Sequence, residues 1–200
     1  MSTPDRKQPR PGNCAQPAPK KIEISIGIKI EISNTQAFLT VDSRKLADLA
    51  RRVLEGEGIT SGLISLAMVD NATIHRINRQ HLGHDWPTDV ISFTLSEPDD
   101  PELAGELVIS AEMATATAHE MRIAPADELA LYVVHGLLHL CGYDDRSQPD
   151  VRRMRDRENQ ILLSEGFCSA VAETPLCSAL AGAPRPHPAR EVQEPPSCSG

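Results

Sequence analysis

The stretch Leu63-Ile64-Ser65-Leu66-Ala67-Met68-Val69, followed by Asp70-Asn71, decides the fold class of this chain. A short apolar run that stops at a pair of helix-capping residues reads as a buried strand feeding a helix. Asp70 or Asn71 opens that helix, which continues through Ile74 and Ile77 and stops before Gly83. Upstream, Ile22, Ile24, Ile26, Ile28, Ile30 and Ile32 alternate with other residues, the period of a strand. The tetrapeptide Ile-Glu-Ile-Ser starts at Ile22 and again at Ile30, too few copies for a repeat architecture. Asp42 or Ser43 caps a helix with Leu46, Leu49, Ala50 and Leu54 on one face, ending near Gly56 or Gly58.

Downstream, Thr88 to Leu95 and Glu106 to Ser110 read as two strands. The acidic, proline-containing segment from Ser96 to Gly105 is the surface loop between them. Glu112 to Met121 is helical, and Pro125 suits the first turn of the next helix. Val151, Met154, Glu158, Ile161 and Leu162 recur at helical spacing in a last helix that Gly166 ends. The order is strand, helix, strand, helix, strand, strand, then three helices. It predicts an α/β (α+β) fold, a single domain with a mixed sheet of about four strands packed with about five helices.

Composition sets the limits of that domain. Of sixteen prolines, five lie in residues 1–20 and six in 167–200. Both flanks are poor in large apolar residues, so they are expected to be disordered tails around a folded unit at 21–166. The first 20 residues carry +3 and the last 34 carry −1, which leaves −10 on the folded unit of a chain whose net charge is −8. Net charge therefore does not draw a polyanion to it, and recruiting RNA would fall to a local basic patch, a metal or a partner. No apolar run has the length of a membrane span, and no charged-then-apolar leader opens the chain, so a cytoplasmic protein is expected. The five cysteines (Cys14, Cys141, Cys168, Cys177 and Cys198) are odd in number and form no C-x-x-C pair, which fits a reducing compartment.

The chemistry concentrates in His135-Gly136-Leu137-Leu138-His139-Leu140-Cys141-Gly142-Tyr143-Asp144-Asp145. Histidines four apart share one helix face, so both imidazoles can address a common ion. Gly142 can end the helix in a left-handed conformation and return the chain, delivering Asp145 as a third ligand. Asp144 stands beside it as a turn acid, an orienting group or the ligand itself. Three protein ligands leave one position for water, the arrangement of a hydrolytic zinc site. These offsets match the H-E-x-x-H-x-x-G-x-x-H zinc grammar, except that Gly136 stands where a metalloprotease carries its glutamate base. The competing reading is a core helix with two satisfied histidines, since Leu137, Leu138 and Leu140 are core-like; the glycine and third ligand at the right offsets argue against it. Cys141 projects to another helix face and reads as packing.

These residues resemble the YbeY family of bacterial metal-dependent endoribonucleases, the ribosomal RNA maturation factors. The resemblance is carried by the His135 to Asp145 signature, by Asp85-Trp86-Pro87-Thr88-Asp89-Val90-Ile91-Ser92-Phe93, by Gly105 to Ser110, and by Met154, Glu158, Ile161, Leu162, Gly166 and Phe167. It covers most of residues 22–167. It implies one Zn2+ per chain and a single-strand-selective RNA hydrolase. It also implies a place in maturation of the small-subunit ribosomal RNA 3′ end and in ribosome quality control, with the small ribosomal subunit and its assembly factors as partners. His135 and His139 carry over as ligands. Where the family usually has a third histidine this chain has Asp145, whose carboxylate is an accepted zinc ligand. Where the family places an arginine before its Thr-Asp-Val motif this chain has Leu82, and Arg79, one turn earlier, is the candidate for that catalytic role.

Phosphodiester hydrolysis needs a nucleophile, charge stabilisation and a leaving-group proton, and a zinc ion can serve the first two. The nucleophile is either water or the RNA's own 2′-hydroxyl. Thr88 and Asp89 are expected to make strand-start hydrogen bonds in preference to contacting substrate, and Trp86 to pack in preference to stacking on a base. Two other functions compete: a zinc metalloprotease with the metzincin-like ligand geometry, and a non-catalytic ribosome-assembly factor.

Overall fold

The computed structural model describes residues 27–168. Nine elements follow one another: β1 (Ile28–Asn34), α1 (Ser43–Gly56), β2 (Gly62–Val69), α2 (Asn71–Leu82), β3 (Val90–Thr94), β4 (Leu103–Ser110), α3 (Ala111–Met121), α4 (Pro125–Leu140) and α5 (Gln148–Ser164). The strands form one mixed sheet in the order β1-β2-β4-β3. β1, β2 and β4 run parallel, and β3 pairs antiparallel with β4 at the edge. The predicted element order and fold class are those observed.

The helix boundaries come from local chemistry. The Asp42 carboxylate accepts from the Lys45 N–H at 3.0 Å and that of Asp70 from the Thr73 N–H at 2.8 Å, so each satisfies an orphan donor of a first turn. The side-chain hydroxyl of Ser110 does the same for α3, accepting from the Met113 N–H. Gly83 closes α2 in the left-handed region at φ 74°.

Alternation along the strands sorts side chains into two clusters. Ile64, Leu66 and Met68 of β2 and Leu107 and Ile109 of β4 meet Leu49 and Leu54 of α1 and Leu137 and Leu138 of α4 in the main core. Each such buried side chain contributes roughly 1.5–3 kcal/mol. On the other face Val108 and Ile91 meet Ile74 of α2, with Phe93 and Ile77 around them. α4 is apolar nearly all round because it lies between the sheet, α1, α3 and α5.

Three expectations need adjustment. Leu63 is 46% exposed, so β2 is buried on one face only at its start, where α2 does not reach. β4 begins at Leu103, within the segment expected to be loop, because Leu103 registers against Gly62. β3 begins at Val90 rather than Thr88. The expected tails at 1–20 and 167–200 lie outside the described residues apart from Phe167 and Cys168. Phe167 is buried in the main core, its N–H bonded to the Leu162 carbonyl at 2.9 Å, so the folded segment continues past Gly166. Of the alternating isoleucines, those from Ile28 onward are described and lie on β1.

Candidate metal centre

The site is built on the last turns of α4 and the turn that follows. His135 and His139 stand one above the other on α4, their Nε2 atoms 3.2 Å apart. Each ring is fixed from behind. His135 Nδ1 lies 2.7 Å from Oε1 of Glu158 on α5, and His139 Nδ1 lies 3.0 Å from the Tyr143 carbonyl oxygen. Both acceptors require Nδ1 to carry the proton, which leaves both Nε2 lone pairs turned to the same point.

The Tyr143 carbonyl is in place because of Gly142. The helix stops at Leu140, and Gly142 takes φ 88°, a value that L side chains rarely adopt. The Tyr143 N–H then bonds back to the Leu138 carbonyl at 3.0 Å, and the chain doubles over the end of α4. That reversal brings an Asp145 carboxylate oxygen into a group with the two histidine nitrogens, every pair of ligand atoms within 4.8 Å. Asp144 faces elsewhere: its carboxylate accepts from the Asp145 N–H at 2.8 Å and pairs with Arg146 at 3.5 Å. Cys141 packs against the core, outside the ligand group, and burial pushes its thiol up to about 11.

The residues fit a zinc ion. Two imidazole nitrogens bound at ~2.0–2.1 Å in tetrahedral geometry stand about 3.3–3.4 Å apart, close to the separation seen here. Electrostatics agree. Burial pulls the His135 pKa down, but the hydrogen bond and charge of Glu158, then the charges of Asp89 and Asp145, outweigh it and hold the pKa above the ordinary value. Such a site favours a cation, whether a proton or a metal. His139 is held below its ordinary value by burial and by His135, so it is ready to ligate as the neutral base.

A cavity of about 440 Å³ opens beside the ligands between α3, α4 and α5. His135, Asp145, Asp89, Met113, Tyr132 and Arg155 are among its walls. Thr88 and Asp89 also line it while making the strand-start bonds expected of them: Asp89 Oδ1 accepts from the Thr88 hydroxyl at 2.8 Å and from the Val90 N–H at 2.9 Å. Arg79 is not among the lining residues. It is 65% exposed on α2 and pairs with Asp85 at 3.8 Å. Arg155 of α5 is the guanidinium at the cavity, and nothing in its exposed position on the sequence stripe marks it out.

Glu158 was legible only as a helix-face residue. The signal was there: an acid at a position flanked by Met154, Ile161 and Leu162 is core-facing and needs a partner. Glu128 was missed as well. It is fully buried at the far end of the same α4 face, four residues before Tyr132 and seven before His135, and it lines the cavity. Burial, followed by the charge of Glu128, raises the Tyr132 phenol well above its usual range.

Gly136 is not a missing base but a contact point. A Cβ there would stand 2.9 Å from both methyl carbons of Leu107 and 3.0 Å from Val90. The position faces the sheet, away from the histidines, and its carbonyl accepts from the Ser92 hydroxyl at 3.2 Å. Trp86 departs from expectation too: it is 46% exposed, its ring stacked on His84 rather than packed in the core.

A family model described as Endoribonuclease YbeY matches residues 31–166. The chain is similar to an Endoribonuclease YbeY of Carboxydothermus hydrogenoformans, 40% identical over 140 residues that cover 68% of this chain and 97% of that one. It is similar to one of Geobacter sulfurreducens, 36% identical over 147 residues, 70% of this chain and 98% of that one. A solution structure of a Thermotoga maritima protein superposes with a TM-score of 0.46 at 26% identity, over 68% of this chain and 90% of that one.

Proposed function

The chain belongs to the YbeY family, and on that premise we propose that it is a zinc-dependent endoribonuclease selective for single-stranded RNA. Its place is maturation of the small-subunit ribosomal RNA 3′ end and ribosome quality control in the cytoplasm, with the small ribosomal subunit as partner. No helix among the described residues is long and apolar enough to cross a membrane, which is compatible with that setting.

One observation carries the reading: the two Nε2 atoms 3.2 Å apart, both Nδ1 atoms committed elsewhere, and Asp145 beside them at the mouth of a cavity. His135, His139 and Asp145 hold the ion. When bound, zinc supplies Lewis acidity to the phosphodiester and to the attacking oxygen. Glu158 fixes the His135 tautomer and adds negative charge behind it. Arg155, at the cavity, holds the phosphodiester, the part expected of Arg79; Arg79 on α2 meets the RNA backbone further out. Thr88 and Asp89 form the opposite wall, braced on each other and on the β3 start.

Incubation of the purified chain with a single-stranded RNA and the matching duplex, with and without chelator, tests this. Cleavage of the single strand that chelator stops and zinc restores is the expected result. The protease reading is disfavoured by Gly136, where a glutamate would be driven into Leu107 and Val90. Tight binding to small ribosomal subunits by the zinc-loaded chain without cleavage of any RNA would replace the enzyme with the assembly factor.

A further inference from the structure

Trp86 and His84 form the one aromatic stack of parallel rings among the described residues, centroids 4.8 Å apart and planes 8° from parallel. The pair projects from the loop after α2, and Trp86 is nearly half exposed although a lone tryptophan is ordinarily buried. Its backbone is held from beneath: the amide of Asn78, itself buried, donates to the Trp86 carbonyl at 2.8 Å. The indole is thus a fixed plane with one face on His84 and surface left to solvent. Arg76 and Arg79 are exposed on α2, and Asp85, the residue before Trp86, is shared between Arg79 at 3.8 Å and His75 at 2.9 Å. The next residues along the chain, Pro87, Thr88 and Asp89, line the metal-side cavity.

A preset aromatic plane, one residue from the Asp85 that the Arg79 guanidinium pairs with and one residue from the cavity lining, has the makings of a base-stacking subsite. Stacking on aromatic rings is tolerant of sequence and is open only to bases that have left a duplex. We propose that Trp86, braced by His84, stacks a nucleobase of single-stranded RNA as the strand enters the groove, with Arg76 and Arg79 on the adjoining phosphates. The inference rests on the endoribonuclease reading and supplies a physical source for strand selectivity in an acidic protein.

Trp86 is the single tryptophan of the chain, so its own emission reports the contact. A single-stranded RNA 12-mer made resistant to cleavage by 2′-O-methyl riboses and phosphorothioate linkages, the same sequence as a duplex, and inorganic phosphate are each titrated into the full zinc-loaded chain. Trp86 emission and the anisotropy of labelled RNA are followed together. Saturable quenching by the single strand alone is expected. Trp86→Ala is expected to weaken that RNA by about tenfold, with most of the affinity returned by Trp86→Phe. RNA bound with unaltered emission, and with equal affinity in Trp86→Ala, overturns the stacking subsite and leaves the nuclease reading intact. Equal quenching by duplex or by phosphate overturns it also, as does a change of emission with protein concentration alone, which would assign the patch to a second copy. If the wild type neither binds nor cleaves RNA, both readings fall.

Discussion

Replacing Glu158 by glutamine isolates what the buried carboxylate does for the metal centre. Glu158 Oε1 stands 2.7 Å from His135 Nδ1 and the residue is 8% exposed, so the bond lies in a medium that screens it weakly. Glutamine keeps the volume and an acceptor oxygen for Nδ1–H, and removes only the charge. Losing such a partner behind a ligating histidine costs metal affinity about 10- to 100-fold, or about 1.4–2.8 kcal/mol. Competition against a chromophoric chelator at neutral pH measures it, with circular dichroism to check the fold. The metal-free protein gives a second readout. The His135 pKa is raised, so the pair stabilises the fold fully below the ordinary histidine pKa of about 6.5 and loses that contribution as pH rises through the raised value. The stability gap between wild type and Glu158→Gln in urea is therefore larger at pH 6 than at pH 9. Zinc affinity unchanged by Glu158→Gln, with no pH-dependent gap, would refute the reasoning.

Gly136→Ala should lose about 1–3 kcal/mol from overpacking against Leu107 and Val90, read from chemical denaturation, and Gly136→Glu should fail to fold rather than gain peptidase activity. Gly142→Ala should cost about 1–3 kcal/mol for its φ of 88° and weaken zinc binding, because the Tyr143 carbonyl leaves His139; zinc affinity equal to wild type would count against the role given to the turn. With its thiol at about 11, Cys141 should react with iodoacetamide at pH 8 at least about tenfold more slowly than exposed Cys168, as peptide mass spectrometry would record.

What could be read ahead of the structure was local. Asp42, Asp70, Gly83 and Gly142 act within a few residues of themselves, so caps, helix ends and the return that carries Asp145 followed from spacing alone. What escaped depends on partners far along the chain. Leu103 is a strand residue because Gly62 accepts it as a neighbour across the sheet, a fact that the acidic segment before it concealed. Glu158 meets His135 only because α5 crosses α4. Leu63 lies bare where α2 does not cover the sheet, and Trp86 stays outside because His84 gives it a stacking partner there. His135 and His139 meet on one helix face as their spacing implied, yet the family resemblance offered no counterpart for Arg155, which the packing of α5 brings to the cavity.

At the root of the account lies a single divalent ion on His135, His139 and Asp145. Metal analysis after exhaustive dialysis of zinc-loaded protein addresses it directly. About one zinc per chain in the wild type, less in Asp145→Ala and none in His135→Ala is the predicted result. Full zinc retention by both variants, or none in the wild type, would contradict it.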